Sequence, residues 1–161
     1  MMMYETPPEN FSPRFEVACC HVDCDGKFLM LHRSDHKSAG GKWGVPAGKV
    51  DPGETPLETA KRETKEETGI DIPLEDIHFR NTVYVRYPDY DFVYHIFQAE
   101  IESMEDVMIR SDEHKDFRWM TPMESLTLGD MLVPDEDACI GLIYGLEIER
   151  PEHIRSNFSL K

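Results

Sequence analysis

The sequence predicts an α/β sandwich, and two observations carry that prediction. Residues 79–87 (FRNTVYVRY) and 92–101 (FVYHIFQAEI) read as strands with apolar residues on both faces, so their sheet needs cover on both sides. Two helical patterns can supply the cover, one from Pro56 to Thr68 and one from Asp135 to Glu147.

Taken in order, the first dozen residues look peripheral. Residues 14–22 (RFEVACCHV) and 27–33 (KFLMLHR) read as strands joined at Asp25-Gly26, a dipeptide that tolerates the positive φ of a tight hairpin turn. A polar stretch, SDHKSAGGK, then leads to Trp43. The next element is a helix with both ends marked. Thr55 is a good N-cap, Pro56 suits the first helical position, and Glu58 completes a capping box with Thr55. Gly69 can take the left-handed conformation that closes the helix. Two strands follow, separated by the Pro88-Asp89 turn. In the last pattern Cys139, Ile140, Leu142, Ile143 and Leu146 recur at helical spacing. The final ten residues look peripheral again.

At 161 residues the chain suits a single domain spanning 1–161, with its core over about 14–150 and short tails. Its 17 basic and 32 acidic residues give a formal charge of −15, which argues against nonspecific binding to nucleic acid or anionic lipid. The chain offers no apolar run long enough to span a bilayer, and its start lacks the regions of a signal peptide. The expected location is the cytoplasm. The four cysteines are read as reduced. Cys19 and Cys20 should face opposite sides of a strand, and the Cys20, His21, Cys24 spacing matches no strong zinc template.

Along the first helix, at about 100° per residue, Glu63, Glu66 and Glu67 fall on one stripe, while Leu57, Ala60 and Thr64 form another that can pack inward. Acids near a helix C-terminus oppose the macrodipole, and Glu63 repels Glu67. A hard divalent cation offsets both effects, because it takes carboxylate oxygens and shares its remaining coordination with water and phosphates. The stripe is therefore a candidate metal platform.

The run GKVDPGETPLETAKRETKEETGI resembles the box of the Nudix hydrolase family (MutT-like), G-x5-E-x7-R-E-U-x-E-E-x-G-U with U apolar. It matches at Gly48, Glu54, Arg62, Glu63, Glu66, Glu67, Gly69 and Ile70. Thr64 departs from the usual aliphatic residue, and it can fill a partly buried site if its hydroxyl bonds back to the preceding turn. Upstream, residues 41–48 (GKWGVPAG) resemble the family's strand-and-turn lead-in. Downstream, residues 112–119 (DEHKDFRW) resemble the segment where a loop acid completes the metal site. Glu113 is the matching acid, with Asp112 and Asp116 as alternatives.

The resemblance implies a Nudix-type α/β/α sandwich with a mixed β-sheet between helices. It also implies a Mg²⁺-dependent pyrophosphohydrolase, with Mn²⁺ as a substitute ion, that cleaves a diphosphate linkage in a nucleoside diphosphate linked to another group. Glu63, Glu66, Glu67 and Glu113 with the Gly48 carbonyl would hold metal, and one helix glutamate would double as general base. Arg62 would brace Glu54, although a surface pair with Glu58 suits the same spacing. Arg33, Lys49 and Arg86 are candidate substrate contacts, and Tyr84, Tyr87, Tyr90 and Phe92 are candidates to stack on a base. A (d)NTP or related nucleotide derivative is the first expectation for substrate. Nucleotide sugars are an alternative, as are dinucleoside polyphosphates, to whose enzymes Tyr87, 17 residues after Ile70, bears a resemblance. A noncatalytic nucleotide sensor is the reading from another class, and a homodimer is left open.

Overall fold

The computed structural model describes residues 2–104 and 107–148. Eight strands form one sheet: β1 (Met2–Tyr4), β2 (Pro13–Cys24), β3 (Lys27–Arg33), β4 (Trp43–Gly44), β5 (Ala47–Lys49), β6 (His78–Arg86), β7 (Asp91–Glu100) and β8 (His114–Met120). The helices are α1 (Pro56–Thr68), α2 (Pro122–Leu126) and α3 (Glu136–Tyr144). Strand order is β1-β6-β7-β2-β3-β4, with β5 also paired to β2 and β8 to β3. The sheet is mixed, because β2 and β7 run parallel while the other ladders are antiparallel.

The β2–β3 hairpin turns at Asp25 and Gly26, both at positive φ (55° and 74°), the geometry whose twist matches the flanking strands. The cap of α1 forms as expected, with Thr55 accepting from the Glu58 amide and Glu58 accepting from the Thr55 amide. Gly69 closes the helix at φ 77°. Thr64 is fully buried, and its hydroxyl donates to the Ala60 carbonyl at 2.7 Å. That bond lets a polar side chain occupy an otherwise apolar position.

Strand alternation divides the core between the two faces of the sheet. Ala18, Cys20, Leu29 and Leu31 face α1 with Ala60, whereas Cys19, Phe28 and Met30 face α3 with Cys139, Ile140 and Ile143. Cys19 and Cys20 therefore point to opposite sides, and all four cysteines are free and buried. The last helix is shorter than its apolar pattern suggests: Gly145 at φ 67° ends it, and the backbone turns before Leu146.

The N-terminus corrects the sequence reading. Met2–Tyr4 is not peripheral but adds an edge strand to β6, with Met3 opposite Val85 and only 2% exposed. Three residues are too few to show a strand period, and the segment orders because β6 offers it an unpaired edge. The final ten residues lie outside the described ones. Among the described residues, no helix is long and apolar enough to cross a membrane.

Candidate functional site

The acidic stripe of α1 meets the sheet at β5. Residues alternate along that short strand, so Ala47 and Lys49 face one side while Gly48 faces the helix. Gly48 is pressed against Glu63. A β-carbon placed there would lie 2.0 Å from Glu63 Oε1 and 2.1 Å from its Cδ. The neighbouring Ala47 amide donates to Glu67 Oε2 at 3.2 Å. Glu67 is just 4% exposed. Burial, then the nearby charges of Glu63 and Glu113, push its carboxyl well above the usual range, and burial also raises Glu63.

Arg62 ties the stripe to the preceding loop. Its Nε and Nη2 donate to the two oxygens of Glu54 at 2.9 and 3.0 Å, Nη2 also reaches the Lys49 carbonyl at 3.1 Å, and Nη1 reaches Glu63 Oε1 at 2.6 Å. The fork matches a carboxylate bidentately. It holds the Glu54 carboxyl down at about 2. The alternative partner, Glu58, is occupied by the helix cap, where it accepts from the Thr55 amide at 2.7 Å.

The start of β8 delivers two more donors. Carboxylate oxygens of Glu67 and Glu113 and a ring nitrogen of His114 lie within 4.8 Å of one another. Sequence reasoning selected Glu113 but not His114, whose only local signal is its place next to that acid. His114 is 2% exposed, and among the described residues its Nδ1 has no hydrogen-bond partner. Burial, then the Arg33 charge, lowers it to about 4, so the ring is neutral. A buried and a half-buried carboxylate that repel one another beside a neutral imidazole are a donor set suited to a divalent cation. Glu66 stands outside this group. It is 44% exposed and its closest charged contact is Arg62 Nη1 at 3.5 Å. Glu113 is also met by Lys37 Nζ at 3.8 Å.

A cavity of about 550 Å³ opens beside the acids, within the size range of small-molecule sites. Arg33, Ala47, Lys49 and His114 line the end nearest the acids. Aromatic side chains line the rest: Phe15, Tyr87, Tyr90, Phe92 and Tyr94. Phe15 stacks on Phe92 at 5.4 Å and Tyr87 on Tyr90 at 5.0 Å, while Lys49 Nζ sits 4.3 Å from the centre of the Phe15 ring.

Two candidates fall elsewhere. Arg86 does not face this cleft: its guanidinium grips Asp91 at 3.0 and 3.1 Å and the Glu9 carbonyl at 3.2 Å. The reason is parity, because Val85 and Tyr87 line the cavity and the residue between them must point away. Tyr84 shares that parity, and its ring packs edge-on against Phe11 at 5.4 Å.

A family model described as the NUDIX domain matches residues 12–138. The curated protein named nucleoside triphosphatase NudI of Salmonella agona (strain SL483) is 32% identical over 127 residues, covering 73% of this chain and 88% of that protein. Among solved structures, the MutT NUDIX hydrolase from Burkholderia pseudomallei superposes with a TM-score of 0.70 at 22% identity, covering 82% of this chain and 98% of the other. The NUDIX domain of Shewanella oneidensis NrtR, crystallised with ADP ribose, gives a TM-score of 0.70 at 22% identity, covering 87% and 92%. At such identities the structural likeness speaks for the mixed-sheet fold alone.

Proposed function

This chain belongs to the Nudix hydrolase family, and on that premise we propose that it is a Mg²⁺-dependent hydrolase of nucleoside triphosphates or related nucleotide derivatives, releasing a nucleoside monophosphate and diphosphate. One observation carries the reading. Glu67 of α1 and Glu113, just before β8, gather around His114, and His114 in turn lines an aromatic cavity, which sets a place for a polyphosphate beside a place for a base. The NudI relatives, named nucleoside triphosphatases, support the choice of substrate.

Glu63, Glu66, Glu67 and Glu113, with His114 and the Gly48 carbonyl, would hold the divalent ion, Mg²⁺ or Mn²⁺. Bound there, such an ion neutralises diphosphate charge and makes water a better nucleophile at neutral pH. Arg33 and Lys49 place positive charge at the cavity's acidic end to receive phosphate oxygens. A glutamate of the stripe accepts the proton of the attacking water. The water oxygen bonds to phosphorus as the anhydride P–O bond on the far side breaks, and the departing half of the anhydride, diphosphate or nucleoside monophosphate according to which phosphorus is attacked, takes the electron pair. Arg62 holds Glu63 and Glu54 in place throughout. The aromatic rings keep the nucleoside end dry and oriented.

The test is release of phosphate and diphosphate from (d)NTPs, nucleotide sugars and dinucleoside polyphosphates with Mg²⁺. Diphosphate from the triphosphates is the expected result. Nucleotide binding without turnover of any compound would overturn the reading in favour of a sensor. In the same assay Gly48→Ala should lose about tenfold or more in rate, since the new methyl must displace the Glu63 carboxylate and small misplacements of catalytic groups are costly. Its melting temperature should hardly move, because the displaced group is the far end of a flexible side chain. Wild-type rates in this variant would show that the Glu63 position is irrelevant to chemistry.

A further inference from the structure

Arg14 lines the aromatic cavity against the alternation of its strand, and no step of the proposed reaction uses it. Side chains of β2 alternate, so Phe15 and Val17 face the cavity and Arg14 belongs by parity on the other face. The ladder to β7 breaks at this point. Pro13 stands opposite Asp91 and Phe15 opposite Phe92, two steps on β2 against one on β7. The extra residue makes a β-bulge, a device that re-aims a side chain, and Arg14 joins Phe15 on the cavity wall. Its guanidinium carbon lies 5.7 Å from the centre of the Tyr90 ring. The Tyr90 and Phe15 rings are 5.6 Å apart, and Lys49 rides on Phe15, so two neighbouring rings carry a cation each. Arg14 is exposed at the rim. Among the described residues it is the one arginine that makes no hydrogen bond or ion pair with the protein, in a chain with 32 acidic residues against 17 basic ones.

We propose that Arg14 is a specificity-determining residue that binds a phosphate carried on the ribose, at its 2′ or 3′ oxygen, of a nucleotide whose 5′ chain reaches the acids. The inference rests on the nucleoside occupying the aromatic cavity, as the proposed function has it.

The layout of a nucleotide selects the ribose. Arg33 and Lys49 stand at the end of the cavity nearest the acids, where they meet the 5′ chain. The rings take the base, whose edges carry no formal charge at neutral pH. The sugar joins the two, and its 2′ and 3′ oxygens are the positions on the nucleoside where a further anion can be attached. Arg14 suits such an anion on two counts. A guanidinium presents five N–H donors in a planar fork that matches two phosphate oxygens at once. Placed over Tyr90, it is held through its face, which leaves the donors along its edge for a ligand. Charge in general works the other way: the chain carries −15 and repels an added phosphate unless a cation meets it directly. A gain in affinity from a phosphate on the sugar is therefore a local signature.

The test is calorimetric binding of AMP, ADP, adenosine 2′,5′-bisphosphate and adenosine 3′,5′-bisphosphate to the metal-free full-length protein, a readout independent of hydrolysis. One of the two bisphosphates should bind about 10- to 100-fold more tightly than AMP, the range expected for hydrogen bonds to a charged group, and the better one names the oxygen that Arg14 reads. It should also outbind ADP, which has the same number of phosphates but places both on the 5′ chain. Arg14→Gln should erase the advantage and bring the bisphosphate down to AMP, with an unchanged melting temperature because the side chain is exposed. Bisphosphates no tighter than AMP, an equal gain with ADP, no binding of any compound, or an advantage that survives Arg14→Gln would overturn the inference, and the first three outcomes do not depend on a variant. Triphosphate hydrolysis without a ribose-phosphate advantage in binding would refute the inference and leave the proposed function standing. The advantage without hydrolysis of any compound would do the reverse.

Discussion

Glu67→Gln should cut Mg²⁺-dependent hydrolysis by at least about a hundredfold, yet leave the metal-free protein as stable as the wild type or more so. Both expectations follow from the burial of a carboxylate beside Glu63 and Glu113. The folded-state pKa of Glu67 is raised. Its contribution to stability is therefore fully present below the unfolded value, near 4.5, and is lost as pH rises through the folded value. Wherever the pH makes the group ionise, that charge is a cost the neutral isostere avoids, and the amide oxygen can still accept from Ala47. A divalent ion reverses the balance in the wild type, since it binds the charged form. Melting curves with and without Mg²⁺ separate the effects. The wild type should gain stability on adding the ion, and Glu67→Gln should gain far less. An equal gain in both, or near-normal turnover in the variant, would remove Glu67 from the site. Glu113→Gln should lose less activity, because Glu113 is more exposed and Lys37 already balances part of its charge.

Arg62→Ala is expected to damage both fold and chemistry. The guanidinium makes two bonds to Glu54, one to Glu63 and one to the Lys49 carbonyl. Removing charge-assisted hydrogen bonds from partly buried partners costs about 1–3 kcal/mol. Turnover should fall by about tenfold or more, because Glu63 loses its tether. The pH dependence identifies the cause. Glu54 is held down at about 2 from an ordinary 4.5, chiefly by its hydrogen bond to Arg62, so its pairing stabilises the fold above pH 4.5 and fades as pH falls toward 2. The gap in stability between wild type and Arg62→Ala should be widest at neutral pH and close in acid. A gap that stays constant to pH 2 would mean that lost packing, not the ion pair, explains the defect.

Legibility followed the range of the interactions. Helix α1, its capping box, its Gly69 stop and its acidic stripe are set by residues within a few positions of one another, and the Asp25-Gly26 hairpin is equally local. The membership in the Nudix family was readable for the same reason, since the box is one continuous segment of loop and helix. Strand β1 was not legible. A three-residue segment has no period to display, and it is a strand only because β6 has a free edge.

By itself the sequence determined the family, whose resemblance implied the mixed sheet, and it determined the sandwich and the helix that presents Glu63, Glu66 and Glu67, because capping, periodicity and turn geometry act between near neighbours in the chain. Tertiary structure alone decided which side chains converge. Strand register turned Arg33 and Lys49 toward the cavity and Arg86 onto Asp91 and brought His114 within ligand distance of Glu67. Glu67 and His114 are distant in sequence, and a shift of one residue in a strand would exchange the faces on which its side chains lie.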